Sequence, residues 1–542
     1  MASETTHRMT TVSAQHIIPH LFTMFVATIV LVAIWTLASW IYNIYLHPLA
    51  KFPGPKLAAM TKLSRAHLEL VQQGSLYEKL SQLHSVYGDV IRIGPNELHF
   101  SRPSAYDDIY NARNKWCKES DMYLGMSVTH KISTISTCEY SQAKKKKDLL
   151  TPFFSRRSIL DLQSIVQEKM EEVCAVLTDR HKSGQTSNIR GVVRSFVLDT
   201  ITSISFAQSF GAIQAPDFKL SALLSMDIAM PIYRLFFNFP VTRSVLNLFP
   251  FWFVELVGGE GLRGFSQMRK RVMNQIESIL ANEDLLNAAT HQTIYHDLIP
   301  LCLGRRGKDG NTTGHLDKYD LFEEAWLLIF AGTDTTGNAL TVGMVNVIDN
   351  PQIYGKLRAE LEKAWPSLSG GAPKYEELEK LDYLKAVVKE SLRLSHGVVI
   401  PQRRIVPSQG ARISDHFIPG NTIIGVSNQF VHLSPILFPN PHQFLPERWL
   451  KQSPSTMTVS EGYNEELADA DIVAFSKGPR SCLGINLAYC ELFIAFANLF
   501  RRFDIKFDKD LGAKDLIFEE ALTAHFVGPD LDVIATPVPY IQ

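Results

Sequence analysis

One ten-residue run constrains this chain more than any other feature: Phe475-Ser476-Lys477-Gly478-Pro479-Arg480-Ser481-Cys482-Leu483-Gly484. Gly478 and Gly484 close a loop, and a strong helical pattern begins near Asn486. Cys482 is therefore presented just before a helix N-terminus. A thiolate there meets the positive end of the helix dipole and unpaired N–H groups, both of which lower its pKa. Glycines let another group approach the backbone closely, and Arg480, two residues from the sulfur, is placed to neutralise an anion. Such a loop needs a large body around it. Of 542 residues, 46% are apolar and 20% charged, the balance of a globular chain with a big core. The six cysteines (Cys117, Cys138, Cys174, Cys302, Cys482, Cys490) contain no C-x-x-C pair, which excludes a disulfide framework and a structural zinc site. Lys plus Arg total 54 against 55 Asp plus Glu, so there is no basic footprint for nucleic acid.

From Leu21 to Tyr45 no residue is charged. Those 25 residues, at ~1.5 Å each, make a helix of roughly 37 Å against a hydrocarbon core of about 30 Å. Trp35, Trp40, Tyr42 and Tyr45 cluster at its far end like an interfacial belt, and Lys51, Lys56, Lys62 and Arg65 follow. The positive-inside rule then places the bulk of the chain in the cytosol. The expected division is a short luminal N-terminus (1–20), a transmembrane anchor (21–45), a Pro-rich link (46–56) and one large domain (57–542). The two prolines around Gly54 predict a stiff, extended link. The sequon at Asn311 should stay unmodified, because its acceptor would be cytosolic.

The body reads as mainly α with minor β. Asp89–Ile93 and Glu97–Phe100 alternate around Gly94-Pro95-Asn96, the pattern of a hairpin. Ser158–Leu177, Asp320–Asp349, Tyr375–Leu394 and Asn486–Phe503 carry helical spacing. A second β-region is expected over Ala411–Val426, turned at Pro419-Gly420-Asn421. Asp320-Leu321-Phe322-Glu323 has a capping-box pattern and predicts the start of its helix there.

Within that helix, Ala331-Gly332-Thr333-Asp334-Thr335-Thr336 interrupts an apolar run. Gly332 and Gly337 each cost ~1 kcal/mol relative to Ala in a helix interior. One reading is that the hydroxyls bond back to carbonyls at i−4 and bend the helix. The other is that Gly332 leaves room for a ligand, while Thr335 and Asp334 form a proton path into an apolar pocket. The cysteine loop suits an axial thiolate ligand to a flat, dianionic cofactor, for which cysteine-ligated haem is the known case. Glu390 and Arg393 share one helix face at i, i+3.

The run Phe475–Gly484 matches F-x-x-G-x-R-x-C-x-G at every fixed position. It resembles the haem-binding loop of the cytochrome P-450 superfamily. The resemblance implies the P-450 fold, haem b on Cys482, and Phe475, Arg480 and Gly484 in the cofactor's cradle. Ala331–Thr336 resembles the family's oxygen-activating helix, with Asp334 and Thr335 catalytic and Ala331 and Gly332 beside the cofactor. Phe444-Leu445-Pro446-Glu447-Arg448-Trp449 resembles the second arginine motif, so Glu390, Arg393 and Arg448 would form a structural Glu–Arg–Arg network. Arg404 stands where the family places a propionate partner. Ala143-x-x-x-Lys147 aligns with W-x-x-x-R and departs at both ends, which leaves open which lysine of 144–147 reaches a propionate. A cationic face there would also suit an acidic electron donor.

The resemblance covers the chain from anchor to C-terminus, and Tyr45–Lys56 is similar in wording to filamentous-fungal members that tailor terpenoids or polyketides. It implies a monooxygenase using O2 and NADPH-derived electrons through an NADPH–cytochrome reductase. It also implies an apolar small-molecule substrate and a single-pass place in the endoplasmic reticulum membrane. The alternatives are a haem-thiolate isomerase or dehydratase needing no reductase, and a non-catalytic haem-binding membrane protein. The intact pair Asp334–Thr335 argues for the first. Specificity is expected around Cys117–Cys138, Phe206–Phe253 and Pro401.

Overall fold

The N-terminal residues Ala2–Ile41 form one helix, α1, continued by a wider turn over Tyr42–Leu46. From His20 to Leu46 it is long and apolar enough to cross a membrane, and none of that window is buried in the protein. A second stretch, Pro216–Asn238, is also apolar and long enough but 44% buried, so it belongs to the body. The computed structural model describes residues 2–71, 75–246, 259–304, 316–450 and 471–539. Asn311 and residues 247–253 lie outside them.

The link is not a free spacer. Leu49 is fully buried and Phe52 nearly so, both in the main core. Arg92 donates its amide to Pro53 O (2.7 Å) and its guanidinium to Asn43 O (2.7 Å). Gly54, at φ 158°, approaches Arg92 so closely that an added Cβ would lie 2.4 Å from its carbonyl oxygen. The prolines stiffen a segment whose apolar side chains are spaced to dock on the sheet.

That sheet contains β1 (Val90–Gly94), β2 (Glu97–Phe100) and β3 (Cys117–Lys118) from the first half of the chain. Five helices matter next: α2 (Tyr140–Leu150), α3 (Arg156–Lys182), α4 (Ile189–Phe206), α5 (Ser221–Asn238) and α6 (Lys318–Asp349). Then come α7 (Asp382–Ser395), β4 (Arg404–Ile405), β5 (Ala411–Ile413), β6 (His416–Ile418) and β7 (Ile423–Gly425). Finally α8 (Ile485–Arg502) runs into β8 (Phe503–Phe507). The strand order is β1-β2-β7-β4-β3, with β2 and β7 parallel and the other pairs antiparallel. The long, apolar α6 packs on α4, α7 and α8 and is almost entirely buried.

Three boundaries differ from expectation. α6 starts one turn earlier, because Asp317 is the N-cap and Asp320 its reciprocal partner: Asp317 accepts from Tyr319 N–H (2.8 Å), and Asp320 from Asp317 N–H (3.0 Å). The expected helix Tyr375–Leu394 divides into Tyr375–Leu378 and α7. Glu360 of the helix Pro351–Ala364 accepts from Tyr383 N–H and Leu384 N–H (2.9 Å each) and so begins a new helix there. The turn at Pro419-Gly420-Asn421 is not the hairpin's. Ser414 and Asp415, both at positive φ, turn β5 into β6, and the later turn carries the chain into β7.

Candidate active site

The cysteine loop is fixed by its own backbone. Cys482 N–H donates to Phe475 O (2.8 Å), and Lys147 Nζ donates to Ser481 O (2.9 Å) and Pro479 O (3.4 Å). Gly478 needs to be glycine twice over: its φ is 72°, and an added Cβ would meet Tyr110 O at 2.4 Å. Gly484, by contrast, faces open space, with nothing within 4 Å of an added Cβ. Beyond it is a cavity of about 460 Å3, walled mainly by apolar side chains such as Met122, Met126, Ile201, Leu328 and Val398. Cys482 opens into this cavity, so its side chain is accessible although the sulfur lies deep. Burial pushes the thiol up, against the Gly484 N–H hydrogen bond and the Lys147 charge. Desolvation thus works against the helix terminus expected to favour a thiolate.

Besides Lys144, which pairs with Asp148, four basic side chains line the same cavity: Lys118, Lys147, Arg404 and Arg480. Lys118 and Arg404 face each other across β3 and β4, a like-charge pairing that is unfavourable on its own. Arg404 donates to Tyr123 Oη (3.0 Å) and to the Gln402 and Arg403 carbonyls. Arg480 donates to Thr137 O (3.1 Å) and Cys138 O (2.9 Å). Lys118 donates to Ile135 O (2.7 Å) and sits 4.2 Å over the Tyr123 ring. Burial, Arg404 and Arg480 drive its pKa well below the lysine range. None of the four has a carboxylate partner among the described residues, so the group that fits between them is an anion. Of the lysine run, Lys147 reaches the loop; Lys144 pairs with the exposed Asp148, and Lys146 bonds Ile132 O. Lys118 escaped the sequence reading because no motif surrounds it.

On the opposite wall, α6 contributes Ala331, Gly332, Thr335 and Thr336. Thr335 Oγ1 donates to Ala331 O (2.8 Å) and Thr333 Oγ1 to Ile329 O (2.6 Å), so the back-bonding reading is present alongside the cavity-facing one. Two placements bear on the expectations. Gly332 lines the cavity together with Ile201 of α4, whose Cγ1 would lie 3.0 Å from an added Cβ, so the glycine also lets α4 approach. Asp334 does not line the cavity: at 5% exposure it points at α4, where Arg194 donates to it at 2.7 and 3.1 Å. Gly337 lets Arg194 approach that closely. The buried carboxyl that does line the cavity is Glu491 of α8, whose pKa burial raises well above the carboxylate range, with Thr336 as its hydrogen-bond partner. A glutamate on the apolar face of α8 was a readable signal.

Glu390, Arg393 and Arg448 come together as expected. Arg393 grips Glu390 with two bonds (2.7 and 2.9 Å), and Arg448 Nε donates to the same carboxylate (3.1 Å). Trp449 Nε1 and Leu445 N–H complete its acceptor capacity. Arg393 also donates to the His432, Pro441 and Gln443 carbonyls, tying the segment before the cysteine loop to α7.

Among the described residues no group of three or more His, Cys, Asp or Glu could hold a bare metal ion. A metal at Cys482 therefore has to bring its own ligands. One sulfur, four unpaired-by-acid cations, open space over Gly484 and apolar walls fit a flat, anionic, iron-bearing macrocycle.

A profile of the family described as Cytochrome P450 matches residues 55–526. The cytochrome P450 monooxygenase flvC of Aspergillus flavus is 30% identical over 96% of this chain and 98% of its own length. The monooxygenase sdnE of Sordaria araneosa is 32% identical over 88% of this chain and 90% of its own. The monooxygenase ankB of Aspergillus thermomutatus is 32% identical over 86% and 84%.

Proposed function

This chain belongs to the cytochrome P450 family, as a monooxygenase, and from that premise we propose that it inserts one oxygen atom of O2 into an apolar small molecule of fungal secondary metabolism, with NADPH-derived electrons delivered by a cytochrome reductase. The observation that carries the reading is that Cys482 and Thr335 face one apolar cavity from opposite elements. Haem b, when bound, would supply the oxygen activation. Cys482 Sγ would hold its iron, and Lys118, Lys147, Arg404 and Arg480 would bind and orient its anionic edge. The apolar walls exclude water and take the substrate's carbon skeleton. Thr335 Oγ1 places a hydroxyl at the wall, and Glu491 places a buried carboxyl, its pKa raised by desolvation, on the same cavity. The exposed apolar stretch His20–Leu46 supports a membrane anchor, which this reading places as a single pass in the endoplasmic reticulum membrane with the body in the cytosol.

The test is incubation of the membrane-reconstituted enzyme with reductase, NADPH, 18O2 and a metabolite extract of the source organism. Mass spectrometry should show NADPH-dependent products carrying one 18O atom. Products that form equally well without NADPH, or that carry no 18O, would mean an isomerase or dehydratase instead.

A further inference from the structure

The loop 125–134 has no strand or helix of its own, yet it forms part of the cavity wall through Met126 and Thr134. Its amides need acceptors, and two consecutive carboxylates on the second turn of α6 provide them. Glu323 Oε1 accepts from Val128 N–H (3.0 Å) and Thr129 N–H (2.5 Å). Glu324 Oε1 accepts from Thr134 N–H (2.8 Å) and Thr134 Oγ1–H (2.9 Å). Both carboxylates are buried, Glu323 at 1% exposure, and Glu324 Oε2 has no partner. Further stitches surround them: Lys131 pairs with Asp317 (2.9 Å) and Asp320 (3.2 Å), and Arg243 donates to Thr129 O (2.8 Å) and Leu124 O. Burying two adjacent carboxylates is expensive when neutral acceptors would satisfy the same amides. What carboxylates give instead is stronger, shorter hydrogen bonds.

We propose that Glu323 and Glu324 are positioning residues that clamp loop 125–134 onto α6 and thereby set the shape of the substrate cavity at Met126 and Thr134. Thr134 carries the link directly, being both gripped by Glu324 and part of the wall. The proposal rests on reading this cavity as the substrate site.

The test uses the haem-loaded full chain and two probes read by their spectral shifts, imidazole and 4-phenylimidazole. Only the second extends far enough from its ring nitrogen to feel the cavity wall. Glu323→Ala and Glu324→Ala should each weaken 4-phenylimidazole by about tenfold while leaving imidazole within about twofold. Hydrogen exchange at Val128 and Thr129, or at Thr134, should speed up in the matching variant. The Gln variants keep an acceptor oxygen and should restore most of both properties, which also serves if an Ala variant fails to fold. Equal weakening of both probes, unchanged exchange, or Gln variants no better than Ala would overturn the clamp. Failure of imidazole to bind the parent would instead fault the reading of the cavity, and the proposal with it.

Discussion

Cys482 differs from its neighbour in the next helix by what surrounds it. Cys490 is buried in the core of α8 and its thiol is pushed far up by desolvation, whereas Cys482 faces the cavity beside Lys147. Cys482→Ala should abolish the red-shifted Soret band of the reduced carbonyl complex, and Cys490→Ala should keep it. Thr335→Ala keeps helix propensity, so haem content and that band should survive. Product formed per NADPH should fall by ~100-fold or more, within the ~10²–10⁴-fold range for loss of positioned proton transfer, with the lost electrons recovered as peroxide or water. Glu324 gives a pH signature. Burial raises it from 4.5 to about 7, against Lys146 and Thr134. A carboxyl raised in the fold penalises the folded state as pH climbs from its unfolded to its folded value; the penalty is absent below about 4.5 and complete above about 7. That rise corresponds to roughly 3 kcal/mol at most. Urea denaturation of Glu324→Gln should therefore show a stability gain over the parent that grows from about pH 4.5 to about pH 7 and is flat beyond.

At the scale of elements, the contact of α4 with α6 decides the site's chemistry, because it turns Asp334 away from the cavity. Gly337 permits it. An added Cβ there would lie 2.9 Å from Arg194 Cγ, and Arg194 is held between Asp227 (3.1 Å) and Asp334 (2.7 Å), so it has little freedom to yield. Gly337→Ala gains about 1 kcal/mol of helix propensity but should lose ~1–3 kcal/mol to overpacking, a net loss in thermal or urea denaturation. Gly355, exposed on its helix with nothing within 4 Å, is the control: Gly355→Ala should stabilise by ~0.5–1 kcal/mol. This contrast also marks what a sequence discloses. Cys482, Glu390, Arg393 and Arg448 were legible because their chemistry depends on fixed local spacing, and the helices were legible because periodicity reports the buried face. Asp334's orientation was not, since its partner Arg194 is 140 residues away and the glycine that admits it looks locally like a defect. The split before α7 has the same cause, its amides being capped by Glu360 from another helix. Lys118 is a single residue in a two-residue strand, and only the pairing with Arg404 gives it meaning.

For the whole molecule the question is how the body sits once anchored. The link is docked by Leu49, Phe52 and the Arg92 bonds to Asn43 and Pro53, so the body is held at a set pose relative to α1. Beside that link, Leu57, Leu63, Leu70 and Val71 are exposed. The helix Leu63–Leu70 packs on α5, which exposes Leu224, Ile228 and Leu235. Apolar side chains on neighbouring elements next to an anchor form a surface that can rest in the headgroup region. Two attachments of different strength follow. A spanning helix resists alkaline carbonate, whereas an interfacial patch is released by it. A variant lacking residues 1–41 keeps Asn43 and its bond from Arg92, so it should fold and bind haem as the full chain does. In vesicle flotation it should remain partly membrane-bound, carbonate should strip it completely, and the full chain should stay behind. Replacing Leu63, Leu70 and Val71 by Ser in the truncated variant should then abolish flotation. Carbonate release of the full chain would rule out the span, and a truncated variant that never floats would rule out the patch.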